Sequence, residues 1–108
     1  MTDSLDPKAV PFSVEPDRAT VENLPGRTLL EFGAGWCSVC QAARPDIEAW
    51  LAGQQGLRHL RIEDGKGRRL GRSYGVKLWP TLILLQDGAE VARIVRPENL
   101  AALRGAFG

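Results

Sequence analysis

Residues 28–40 read Thr28-Leu29-Leu30-Glu31-Phe32-Gly33-Ala34-Gly35-Trp36-Cys37-Ser38-Val39-Cys40. The first five follow the Pro25-Gly26 turn and are mostly apolar, so they read as a buried strand. Gly33-Ala34-Gly35 breaks the pattern. From Cys37 a helical period begins: Cys40, Ala43, Ile47 and Trp50/Leu51 recur at steps of three and four and share one face. Gly53 marks the end of that helix. Pro45 inside it removes a backbone donor and predicts a kink. The only two cysteines of the 108-residue chain therefore lie where a strand gives way to a helix.

Working outward from this junction, Phe12-Ser13-Val14 reads as a short edge strand and Asp17 to Leu24 as a short helix stopped by Pro25-Gly26. On the other side, Leu57 to Ile62 alternates as a strand. The basic stretch from Gly65 to Tyr74 holds one or two helical turns. Thr81-Leu82-Ile83-Leu84-Leu85 is nearly continuous in apolar residues, as a central strand buried on both faces requires. Asp87-Gly88 signals a hairpin into Ala89–Val95. Pro97 suits the first turn of a last helix striped by Leu100, Leu103 and Phe107. Strands alternating with helices predict an α/β fold: a central mixed sheet of four to five strands flanked by helices on both faces. The domain is expected over residues 12–108, after a flexible lead-in over 1–11.

Bulk properties narrow the function classes. Hydrophobic residues make up 44% and charged residues 25%, ordinary values for a folded domain. Fourteen basic against thirteen acidic residues leave a net charge of +1, which asks for neither nucleic acid nor a membrane surface. The basic run from Arg58 to Lys77 reads as a solvated face. The N-terminus lacks the layout of a signal peptide, so a cytoplasmic location is expected.

A Cys-x-x-Cys pair is half of a zinc site, a redox dithiol, or two unrelated core cysteines. Structural zinc wants four ligands, and only Cys37, Cys40 and the single His59 are at hand, so no metal or other cofactor is expected. The position favours the redox reading. Unpaired N–H groups and the dipole at a helix start stabilise an anion, which suits Cys37 as the attacking thiolate. Cys40, one turn on, is placed to resolve a mixed disulfide. Trp79-Pro80-Thr81 opens the central strand. Pro80 is either a plain strand-initiating proline or a cis-proline lying against the cysteines, with the Trp79 backbone offering an edge to a substrate segment.

Taken together, Leu30-Glu31-Phe32, Trp36-Cys37-Ser38-Val39-Cys40, Pro45, Tyr74-Gly75-Val76-Lys77-Leu78-Trp79-Pro80-Thr81 and Asp87-Gly88 stand in the order and spacing of the thioredoxin family. The chain resembles that family over residues of about 12 to 107. The resemblance implies the thioredoxin fold, with Cys37 as nucleophile, Cys40 as resolving thiol and Pro80 as the cis-proline. It implies a thiol–disulfide oxidoreductase that exchanges electrons with a disulfide of a client protein, in the reducing direction. A reductase of the thioredoxin reductase type would supply electrons to a monomer. Trp36, Trp79 and Pro80 are the expected substrate-binding residues.

Glu31 stands where thioredoxins keep a buried Asp that takes the proton of the resolving cysteine. If it faces inward, burial should raise its pKa and suit it as a general base; the other reading is an outward-facing Glu. Further departures surround the motif. Ser38-Val39 is neither the Gly-Pro of general thioredoxins nor the Pro-His of strongly oxidising relatives. Gly33 replaces a Trp, Leu78-Trp79 a smaller pair, and Arg96 falls near a glycine that helps receive substrate. These departures favour a narrower client range, and they motivate a competing reading as a binding or assembly module with little redox turnover. Metal or cluster binding across a dimer, through paired Cys-x-x-Cys motifs, is a third.

Overall fold

The computed structural model describes residues 11–108; the expected lead-in lies outside them except for Pro11. The elements run α1 (Arg18–Glu22), β1 (Arg27–Gly33), α2 (Ser38–Ala52), β2 (Leu57–Glu63), α3 (Arg69–Ser73), β3 (Thr81–Gln86), β4 (Ala89–Val95) and α4 (Leu100–Phe107). The sheet has four strands in the order β2-β1-β3-β4. β1 pairs with β2 in parallel, and the β1/β3 and β3/β4 pairs are antiparallel. The parallel pair needs a crossover, and α2 supplies it.

Strand alternation decides which side chains meet which helices. Leu29 and Leu82 pack with Ala43, Ile47 and Trp50 of α2 and Leu103 of α4. On the opposite face Leu30, Phe32, Ile62 and Ile83 pack with Val21 of α1 and with Leu70 and Tyr74 around α3. Each large apolar side chain fully buried in these layers contributes about 1.5–3 kcal/mol. The same alternation puts Glu31, two residues on from Leu29, on the α2 face.

Two sequence expectations need correcting. The edge strand at 12–14 reduces to a single parallel bridge between Ser13 and Ile62, with the Ser13 N–H donating to the Arg61 carbonyl at 2.7 Å. Pro97 is not in the first turn of α4. Asn99 is the cap, its side-chain oxygen accepting the Ala102 N–H at 2.8 Å, so the helix starts where a polar side chain can satisfy its free donors.

The β3–β4 turn places Asp87 at φ 51° and Gly88 at φ 83°, the left-handed pair of a tight hairpin. This turn is docked on the start of β1. The Asp87 carboxylate accepts the Gly26 N–H at 2.7 Å, and the Asp87 N–H donates to the Gly26 carbonyl at 2.8 Å. A Cβ at Gly88 would lie 1.9 Å from the Glu22 carbonyl oxygen, so the turn approaches the end of α1 too closely for any side chain.

Candidate active site

Cys37 caps α2 with extended backbone, and its Sγ accepts the Cys40 N–H at 3.1 Å. The sulfur thus does what a Ser or Asp does at other helix starts, and a negative sulfur would do it better. No disulfide joins the two cysteines, and each is only 6% exposed. They pack with Ala34 and Trp79. The Trp79–Pro80 peptide bond is cis. The two sulfurs have different outlooks. Cys37 borders an open groove of about 420 Å³ with Trp36, Leu78 and Trp79. Cys40 borders a separate cavity of about 260 Å³ beside Arg44 and Arg61. Burial, the hydrogen bond with Cys37 and the nearby charge of Glu31 push the Cys40 thiol up to about 11.

Trp36 is 75% exposed and meets Trp79 edge to face, with ring centroids 5.4 Å apart. The Trp79 indole N–H donates to Asp64 at 2.9 Å, which fixes the ring. Its carbonyl accepts the Arg96 Nε–H at 2.9 Å. The backbone edge expected to be open at Trp79 is therefore half occupied. The Trp79 N–H donates to no group among the described residues.

Glu31 is buried, 3% exposed, and faces α2 as one of its two sequence readings required. The raised carboxyl expected of a general base is overturned. Burial does push it up, but the His59 hydrogen bond and the charges of Arg44, His59 and Arg61 outweigh that and hold it below the ordinary carboxylate value. Oε1 pairs with His59 Nε2 at 2.8 Å, Oε2 pairs with Arg44, and Arg61 Nε lies 3.6 Å from Oε2. Arg44 also reaches Glu48 at 3.5 Å. Arg44 is not singled out by the sequence, and His59 is weighed there only as a zinc ligand. The available signal was spacing: Arg44 lies four residues after Cys40 and so shares its helix face.

The basic run also divides. Arg58 donates to the Pro25 carbonyl and the Thr28 hydroxyl, and Arg61 covers the Phe12 ring as well as approaching Glu31. The solvated portion is confined to Lys66, Arg68, Arg69, Arg72 and Lys77. Trp50 is core, its indole donating to the Gly108 carbonyl and its ring lying 5.2 Å from that of Phe107.

The thioredoxin family profile matches residues 13–107. The chain belongs to the thioredoxin family. Thioredoxin from Chlamydia trachomatis serovar D is 37% identical over 70 residues, which cover 65% of this chain and 69% of that protein. Thioredoxin-2 from Pyricularia oryzae is 30% identical over 77 residues, covering 69% of this chain and 45% of that longer protein. Among solved structures, thioredoxin 2 from Pseudomonas aeruginosa PAO1 in its reduced form superposes with a TM-score of 0.78 at 49% identity, covering 87% of this chain and 88% of that one. The four-stranded mixed sheet with flanking helices is the thioredoxin fold, and the activity is that of a thiol–disulfide oxidoreductase acting as a protein-disulfide reductase.

Proposed function

We propose that Cys37 carries the nucleophilic step and Cys40 the resolving step of client disulfide reduction within the thioredoxin-like domain over residues 12–108. The observation that carries this is the Cys37 sulfur capping α2 at the mouth of the open groove, packed with Trp79. The Cys37 thiolate attacks one sulfur of the client disulfide, forming a mixed disulfide and releasing the other client sulfur as a thiolate. Cys40 then passes its proton to the released client thiolate or to water and attacks the Cys37 sulfur. The Cys37–Cys40 disulfide forms, and the second client thiolate leaves. Two electrons pass to the client in total. Trp36 and Trp79 form the wall against which the client backbone lies, with the Trp79 N–H available to an added strand and the buried Pro80 following directly after it.

Glu31 acts here by charge rather than as the proton acceptor. A carboxyl held below its ordinary value binds a proton weakly, while its charge beside Cys40 disfavours premature loss of the thiol proton. Electrons for a new cycle come from a reductase of the thioredoxin reductase type, and the setting is a reducing, cytoplasmic one in which the protein is a monomer. No helix among the described residues is long and apolar enough to cross a membrane.

Insulin reduction followed by turbidity, with a chemical reductant supplying electrons, tests the reading. The protein should exceed the uncatalysed rate and a Cys37→Ser variant should not. Equal rates would leave the competing reading, a binding module without turnover.

A further inference from the structure

The groove before Cys37 combines apolar walls with unbalanced charge. Trp36, Val39 and Leu78 line it together with two cations, Lys77 and Arg96, and no carboxylate among the described residues does so. The Asp64 carboxylate that reaches Trp79 is taken up by the indole N–H. Arg96 follows directly on β4 with φ 52°, and its backbone N–H donates to the Pro80 carbonyl at 2.9 Å. That contact ties its backbone to the site, and the side chain reaches the Trp79 carbonyl through Nε alone. The four terminal N–H groups of the guanidinium have no acceptor among the described residues, and Lys77 has no ion-pair partner there.

We propose that this groove selects client segments bearing a carboxylate side chain next to the cysteine under attack, with Arg96 as the residue that reads it and Lys77 assisting. The inference rests on the disulfide-exchange reading above. A client strand laid along Trp79 needs the carbonyl that Arg96 now holds. A neutral client must displace the guanidinium and give it nothing better than water. An acidic client offers it two oxygens in a planar, charge-assisted pair, and its own backbone N–H takes over the vacated carbonyl. A basic client meets two like charges, which adds rejection to the selection.

The test uses three model peptide disulfides, identical except for Asp, Ala or Lys beside the cysteine. Each is reduced by the protein in single turnover at low and high salt, with bis(2-hydroxyethyl) disulfide as a probe too small to span the groove. The Asp peptide should react about tenfold faster than the Lys peptide at low salt, and the ratio should collapse in about 1 M salt. Arg96→Gly, which suits the positive φ, should shrink the ratio to about twofold, and Arg96→Glu should invert it. Normal reduction of the small probe with equal rates for all three peptides would overturn the charge selection and leave the redox reading standing. So would a preference that survives in the Arg96→Gly, Lys77→Ala double variant. Failure on the small probe as well would overturn both.

Discussion

The two sulfurs of one helical turn face different surroundings. The Cys37 side is an open groove with two indoles meeting edge to face and two cations, Lys77 and Arg96. The Cys40 side is a smaller pocket near which one buried carboxylate is held by groups from α2 and β2. Three residues of sequence separate a sulfur that borders a groove lined by two indoles from one that borders a pocket beside Arg44 and Arg61. At Cys40, burial, the hydrogen bond with Cys37 and a neighbouring anion oppose a negative sulfur, whereas the Cys37 sulfur caps the helix by accepting the Cys40 N–H.

The largest expected effect comes from removing each sulfur in turn. Cys37→Ser should reduce disulfide-reductase turnover to background, whereas Cys40→Ser should still attack and then stall. Non-reducing gels with a client disulfide should show a persistent mixed disulfide in the second variant and none in the first. A stable adduct on Cys40 in Cys37→Ser would reverse the assignment.

Breaking the charge cluster tests the Cys40 side. Glu31→Gln should cost about 2 kcal/mol of unfolding free energy at neutral pH, less than for a fully sealed pair because Arg44 is partly exposed. The folded carboxyl lies below its ordinary value of 4.5. Its contribution is therefore complete above that pH and is lost as pH falls through the lower, folded value. Denaturation series at stepped pH should show the gap between wild type and variant closing on acidification. A gap that widens would mean that Glu31 is protonated in the folded state.

A third measurement sharpens the contrast at Cys40 itself. In Cys37→Ser, which removes the Cys37 share of the upward push, alkylation of Cys40 should rise at a pH below about 11 yet above that of an exposed thiol, because burial and Glu31 remain, with Glu31→Gln moving that rise further down. The smallest effect belongs to Gly33. A Cβ there would sit 2.9 Å from the Cys40 sulfur. Gly33→Ala should cost about 1 kcal/mol and slow resolution more than attack, read as accumulation of mixed disulfide.

Much of this frame was legible in the sequence because local signals agreed. The apolar runs at 28–32 and 81–85, Asp87-Gly88 and the Cys-x-x-Cys helix start each fix an element without help from distant residues. The errors arose where a partner comes from elsewhere in the chain. For an inward-facing Glu31 the sequence predicts a raised carboxyl, because the neutralising groups that hold it down stand on α2 and β2, far along the chain. Arg96 reaches Trp79 only because the hairpin folds β4 back along β3, and no local pattern records that contact. Ser13 pairs with one residue of β2 because a run of three cannot extend a ladder by its own propensity.

The docking of the Asp87-Gly88 turn on Gly26 and Glu22 has a practical consequence for engineering. Two-residue hairpin tips are the customary place to graft an epitope or insert a foreign loop. Here the tip is wedged against the chain's own beginning, so a graft there would pry α1 off the sheet and loosen the layer that Val21 anchors. Additions belong elsewhere on the surface, such as the Lys66-Gly67 bend, where a Cβ at Gly67 meets nothing within 4 Å.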